Sequence, residues 1–385
     1  MSVMDKKEIK QKLKEQRIET PSWGYADSGT RFFIFKQKQA AKLLKEKIQD
    51  ASMVHKFTGV CPSVAIHIPW DRVENWSEIV DYASGLGLEI GAVNPNIFQE
   101  DDYRLGSLCN PDARVRKKAV DHIKDCVAIA KTTGSSIISL WISDGTNYPG
   151  QDSFRARKGR LEETLTEVYK SLSPDMRLLV EYKFFEPSFY HTDVFDWGTA
   201  FLLSQKLGDK AQVLVDLGHH PLGANVEQIV AFLLDENKLG GFHFNDKKYA
   251  DDDLVVGSIK PYELFLIYNE LVGAAFDKKT ASTAENVAYM IDQSHNIKNK
   301  IEAMIQSVEN IQSAYTKALL IDREALTAAQ NEGRVVDAEE CLKDAFNTDV
   351  RKIIREVREE MGIDPDPISA FRKSGYNERI LKERE

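Results

Sequence analysis

"AQVLVDLGHHPLG", residues 211–223, decides how the chain is read. Its first residues are mostly apolar and β-branched, the pattern of a short strand buried on both faces. The run ends on Asp216, turns at Gly218, and sets His219 and His220 side by side. A strand-end aspartate ordinarily caps the helix that follows. A lone histidine ordinarily finds a hydrogen bond in the core or at the surface. Acid, turn and paired histidines at one strand end ask for more than a loop.

Similar runs lie on both sides of this one. They are "SVAIHI" (63–68), "LEIGAV" (88–93), "SSIISLWI" (135–142), "RLLVEY" (177–182), "GGFHFN" (240–245) and "NVAYMID" (286–292). Amphipathic stretches such as "ARVRKKAVDHIKDCVAIAKTTG" (113–134) separate most neighbours. Strand and helix in steady alternation build a parallel sheet. Seven such strands, with "RFFIF" (31–35) as the candidate for an eighth, give the arithmetic of a (β/α)₈ TIM barrel. A doubly wound open sheet is the runner-up, but no G-x-G-x-x-G follows any strand. The expected division is an N-terminal helical arm (1–20), the barrel (21–305) and a C-terminal helical extension (306–385), where long amphipathic patterns take over.

A barrel brings the C-terminal ends of all its strands to one mouth, where active sites sit. Glu181, Asp216, His243 and Asp292 each stand in or at the end of a different strand run. Just past the runs that end at Asp216 and Asn245 come His219 and the "ADDDL" loop, with Asp251 and Asp253. Alone, three aspartates in a row read as a solvated turn. Gathered at one mouth, so many carboxylates raise one another's pKa unless a cation sits among them. Carboxylate oxygens with a few imidazoles suit Mn²⁺ first, with Mg²⁺, Co²⁺ or Zn²⁺ as alternatives. Two ions sharing a carboxylate would clamp two oxygens of one substrate.

The bulk properties narrow the partners. A net charge of −9 disfavours a nucleic acid, which must be gripped by Lys and Arg. The charged opening "MSVMDKKEIKQKLKEQ" is no signal peptide, and no apolar run is long enough for a membrane span. Cys61, Cys109, Cys126 and Cys341 form no C-x-x-C pair, which suits a reduced cytoplasm.

"VEYKFFEP", "LVDLGHH", "GFHFNDKKYADDDL" and "MIDQSHN" together resemble the metal-binding segments of the L-rhamnose isomerases, in particular the broad-specificity bacterial type. That family belongs to the xylose-isomerase-like TIM barrels. The resemblance runs from "PSWGYADSGTRF" through "HIPWD" and "LWISDGTNYPGQ" to "SGYNERI". It implies a structural cation on Glu181, Asp216, His243 and Asp292, and a catalytic one on Glu181, His219, Asp251 and Asp253. It implies Lys183 at the carbonyl end of the sugar, His67 and Asp71 on the ring-oxygen side, and Trp141 and Trp23 as aromatic walls. It also implies Phe32 in a neighbouring subunit's pocket, hence a homo-oligomer, a tetramer, acting on a small aldose or ketose. Tyr182 departs from the family, which has a histidine there in our reading; alternation along the strand turns it away from Glu181.

The activity implied is interconversion of L-rhamnose and L-rhamnulose, and of other aldoses, by a metal-assisted 1,2-hydride shift. Lys183 and Asp292 are its candidate catalytic residues beside His67. On the residues alone, Lys183 reads more readily as a salt bridge to Glu181 or Glu186 than as a catalytic group. The rival functions are a ketose 3-epimerase or an isomerase of a different aldose on the same barrel. More distant are a metal-dependent DNA-repair nuclease and a non-catalytic sugar-binding protein.

Overall fold

The computed structural model describes residues 4–27, 35–186, 190–249, 251–294 and 297–384. Eight parallel strands close into a barrel: β1 (Ile18–Pro21), β2 (Ser63–Ile68), β3 (Glu89–Pro95), β4 (Ile137–Trp141), β5 (Arg177–Glu181), β6 (Ala211–Asp216), β7 (Leu239–Phe244) and β8 (Ala288–Ile291). Each pairs with the next in chain order, and β1 closes on β8 through Ile18–Tyr289 and Glu19–Met290. The (β/α)₈ fold read from the sequence is the fold observed. The eighth strand is not "RFFIF", however. Residues 31–34 lie outside the described residues, and Phe35 is exposed and in no strand. The missing strand is "IETP", which begins in the segment expected to be helical arm, whose helix covers Lys6–Lys14 only.

Side chains alternate across each strand, so one set faces the helices and the other fills the barrel. Val64, Ile66, Ile138, Leu178, Val180, Val213 and Val215 join the buried shell under the helices. Inside, Trp23, Ala65, Ala92, Leu179, Leu214 and Met290 pack together. Small residues opposite large ones let such a layer close without voids. Below that layer, Glu19 accepts the Ala92 N–H at 3.0 Å. Gly91 lies against it, and a Cβ at that position would overlap the Glu19 carboxylate.

The helix after β8, Lys300–Leu319, crosses the expected 305/306 boundary and packs on the barrel. Beyond it run five shorter helices, ending with Tyr376–Glu383. One of them, Arg351–Glu360, meets the first helix through Lys6–Glu356 (2.7 Å) and Lys10–Glu360 (2.7 Å) ion pairs. A small antiparallel sheet of Gly145–Thr146, Phe185–Glu186 and Tyr190–Thr192 ties the loops after β4 and β5 at the mouth. Among the described residues, no helix is long and apolar enough to cross a membrane.

Candidate active site

The strand-end acids are not helix caps. The helices after β5, β6 and β8 are capped by Asp196, Asn225 and Asn299, all loop residues. Glu181, Asp216 and Asp292 are left to face one another at the mouth. Register sets the level, since Asp216 pairs with His243 across β6 and β7, and Trp141 with Glu181 across β4 and β5.

Glu181 sends one oxygen toward each imidazole. Oε1 is 3.2 Å from His219 Nδ1, and Oε2 is 3.3 Å from His243 Nδ1. The far nitrogen of His219, Nε2, is 3.2 Å from Asp251 Oδ1. His243 Nδ1 also lies 3.5 Å from Asp292 Oδ2 and 3.8 Å from Asp216 Oδ2. Two ligand groups result, Glu181–Asp216–His219 and Asp216–His243–Asp292, each with its donor atoms within 4.8 Å of one another. Asp216 thus belongs to both groups, and Glu181 touches both histidines. Asp253 stands in the left-handed region at φ 46°, and its carboxyl is pushed well up by burial and by Asp251, Asp292 and Asp216.

Around this cluster the chain holds its ligands still. Asn245 Nδ2 donates to both oxygens of Asp216, at 3.0 and 3.1 Å, and the Gly218 N–H adds a third bond at 2.7 Å. Buried Lys247 donates to the carbonyls of Gly218 and His220, fixing the turn that carries His219. The Tyr182 hydroxyl pairs with His220 Nε2 at 2.6 Å, behind the strand, so Tyr182 points away from the cluster as expected and His220 with it. Lys183 is buried and pairs with Asp251 at 2.5 Å, a partner not considered from the sequence, and its Nζ lies 5.1 Å over the Trp141 ring.

Five carboxylates, Glu181, Asp216, Asp251, Asp253 and Asp292, face Lys183 and two imidazoles. Among the described residues, the raised carboxyls point to a shortage of positive charge. Burial, then Glu181, Asp292 and Asp251, push Asp216 up to about 7 even against His219. His243, which burial alone would lower, is carried to about 9 by Glu181, Asp292 and Asp216. Imidazoles that gather protons to balance acids are standing in for a cation. The oxygen and nitrogen donors fit divalent ions.

Next to the cluster is an aromatic pocket. His67 stacks on Trp70 at 3.9 Å and meets Trp23 and Phe98 edge-on at 5.5 and 5.8 Å. Phe98 continues the wall to Trp141 at 4.6 Å. Trp23 is more than a wall, because its indole N–H donates to Asp292 Oδ1 at 2.7 Å. Burial, then Lys47, hold His67 down at about 3, so the ring is neutral, and its buried Nδ1 has no partner among the described residues. Asp71 is brought to the base of His67. Its carboxylate is taken up by Ser22, by Lys47 Nζ at 2.6 Å and by the His67 N–H at 2.8 Å. Phe32 lies outside the described residues. Phe98, Trp70, Asn245 and Lys247 were missed from sequence; "HFNDK" directly after His243 was the available signal for the last two.

A third group, Cys109, Asp144 and Asp193, has ligand-like spacing, but Arg157 lies inside it.

Comparison with known proteins now fixes the lineage. A family model described as L-rhamnose isomerase matches residues 66–381. The chain belongs to the L-rhamnose isomerase family. It is 42% identical to a probable sugar isomerase of Rhizobium meliloti (strain 1021) over 98% of this chain and 88% of that one. It is 24% identical to an L-rhamnose isomerase of Bacteroides thetaiotaomicron over 56% of this chain and 50% of that one. In solved structures, an L-ribulose 3-epimerase superposes with a TM-score of 0.55 at 12% identity, covering 83% of this chain and 98% of that one. That likeness is one of fold. The chain is therefore a sugar isomerase on a TIM barrel, with carboxylate–histidine groups able to hold divalent metal at its mouth.

Proposed function

We propose that this isomerase interconverts L-rhamnose and L-rhamnulose, along with related aldoses, using two divalent cations per subunit, Mn²⁺ foremost. The observation that carries the reading is the surplus of buried carboxylates around His219 and His243, in a chain of this family. Glu181, Asp216, His243 and Asp292 would hold one ion, and Glu181, His219, Asp251 and Asp253 the other. Bound there, the ions supply Lewis-acid polarisation of the sugar's O1 and O2.

The chain's own side chains do the rest. Lys183, held on Asp251, offers an ammonium to charge growing on O1. His67, neutral and with its buried Nδ1 unpartnered, takes the ring-oxygen end of the sugar, and Asp71 orients it through the backbone N–H. Trp23, Phe98 and Trp141 wall the pocket from water. Committed to the ions, the mouth carboxylates would leave no free base for C2 among the described residues. Hydrogen would therefore pass directly from C2 to C1 as hydride, while the O2 proton moves to O1. Assembly as a cytoplasmic homotetramer, with Phe32 entering a neighbour's mouth, belongs to the same reading. Exposed Tyr148, Leu222 and Tyr249 on the mouth loops support it.

The experiment is turnover of L-rhamnose, L-mannose, L-lyxose, D-allose and D-xylose with Mn²⁺ added, then of L-rhamnose deuterated at C2 in ordinary water. We expect L-rhamnose to be the best substrate and its deuterium to reappear at C1 of the ketose. Full activity after exhaustive EDTA would sink the metal reading, and washout of the label at low conversion would sink the direct transfer.

A further inference from the structure

The last helix, Tyr376–Glu383, and Arg384 after it fasten two loops that meet at the mouth. Arg384 is buried. Its Nη1 and Nη2 each donate to an oxygen of buried Asp50 at 2.9 Å, and the Tyr376 hydroxyl adds a bond to the same carboxylate at 2.7 Å. The guanidinium also donates to the Gln39 carbonyl at 2.7 Å, while Lys42 Nζ donates to the Arg384 carbonyl at 2.7 Å. Gln39 and Lys42 stand on the returning side of the loop after β1. Between them, Ala41 donates to the Tyr25 carbonyl at 3.0 Å and bridges Ala26. Three residues back from Ala26 is Trp23, the donor to Asp292.

The loop after β8 is tied from the same helix. Asn299, at its far end, donates to Asn377 Oδ1 at 2.8 Å. Gln37 joins the two loops directly by donating to the Lys298 carbonyl at 2.9 Å. A buried Arg–Asp pair is a weak stabiliser, since apolar side chains of like size often serve as well. What a two-pronged pair supplies is fixed geometry. Here the geometry bears on Asp292, whose Oδ1 takes the indole N–H while Oδ2 faces His243.

We infer that Arg384, Asp50 and Tyr376 are positioning residues for the metal centre: they hold the base of the β1 loop so that the Trp23 indole stays on Asp292. The consequence for the cation rests on the functional reading above; the clamp itself does not. The test compares Arg384→Gln with the double variant Asp50→Asn/Arg384→Gln, which leaves no buried charge unpaired if the single variant fails to fold. Two readouts are taken. One is solvent exchange of the Trp23 indole N–H by NMR, assigned through Trp23→Phe. The other is Mn²⁺ affinity by calorimetry.

The expected result is faster indole exchange with Mn²⁺ affinity weakened about tenfold, the scale of losing a partner behind a ligand. A purely structural pair would lower the melting temperature and move neither. Wild-type indole protection in the double variant overturns the clamp, and faster exchange with unchanged affinity overturns its reach to the site. An unmutated chain that binds no Mn²⁺ defeats the functional reading instead, and the indole readout then decides the clamp alone.

Discussion

The mouth cluster and the Cys109–Asp144–Asp193 cluster beside the small sheet are both buried, acidic and spaced like metal ligands. They differ in where their positive charge comes from. Arg157, 1% exposed at its side chain, reaches Asp193 at 2.7 Å and Cys109 Sγ at 2.8 Å. Asp144 is satisfied by the Ser107 N–H at 2.7 Å and the Ser107 hydroxyl at 2.9 Å. Burial, then Asp144 and Asp193, push the Cys109 thiol well up, so it stays protonated and is a poor ligand. Burial raises Asp144 too, but its oxygens are met by donors and Arg157 supplies the charge, so that cluster is complete. At the mouth, Lys183 is spent on Asp251, and Asp216 and Asp253 are left with raised pKa values. Ligand spacing alone does not argue for a metal; ligand spacing with too little positive charge among the described residues does.

The sharpest way to break this contrast is at Glu181. Glu181→Gln keeps shape but removes the charge between the two histidines. Turnover should fall about a thousandfold or more, the scale of losing a principal stabiliser of developing charge. Elemental analysis after dialysis should show fewer Mn²⁺ per chain, with an unchanged circular dichroism spectrum. Full metal content in that variant would mean the mouth is not the metal site.

Arg157→Met asks the converse. Removing one partner of a buried ion pair costs about 3–5 kcal/mol, so urea unfolding should shift strongly while Mn²⁺ stoichiometry stays as in the unmutated chain. Unchanged stability with altered metal content would erase the distinction between the clusters.

The smallest effect is one of pH. Without metal, His243 holds its proton up to about 9 and Asp216 up to about 7. A ligand must be deprotonated to bind, so below those values the proton competes with the ion. Mn²⁺ affinity should rise from pH 6 to pH 8 by up to about tenfold per unit for each proton displaced. Calorimetry in buffers of different ionisation enthalpy counts those protons. A flat profile would show that the imidazoles are already neutral and the charge shortage absent.

Much of this was open to reading in the chain. Long β-branched runs such as "AQVLVD" and "RLLVE" have one stable home, a strand covered on both faces, and their terminal acids had to converge. "IETP" escaped because four residues with an acid inside and a proline at the end carry no strand signal. Only closure against β8 and β2 makes them a strand, and only the gap at Gly91 lets Glu19 sit inside. The candidate ligands were legible because acids and histidines recur at the ends of several strands and in the loops just past them, not because any one of them is unusual there. Their supports were not: Asn245 bonding Asp216, Trp23 bonding Asp292 and Asp251 pairing with Lys183 are contacts between distant parts of the chain, set by three-dimensional packing. Asp71 shows the same limit. Its proximity to His67 was readable, but its commitment to Lys47 and Ser22 was not.

Glu19 and Gly91 also say something about how this barrel can change over generations. Any side chain at 91 meets the carboxylate of 19, so the two positions form a single unit of inheritance. The order of substitution matters. Shortening the acid first opens room at 91, whereas adding a methyl group at 91 first passes through an overlapped, strained intermediate. The floor of the barrel thus admits one mutational path and closes the other, and a lineage that keeps the long acid is obliged to keep the glycine.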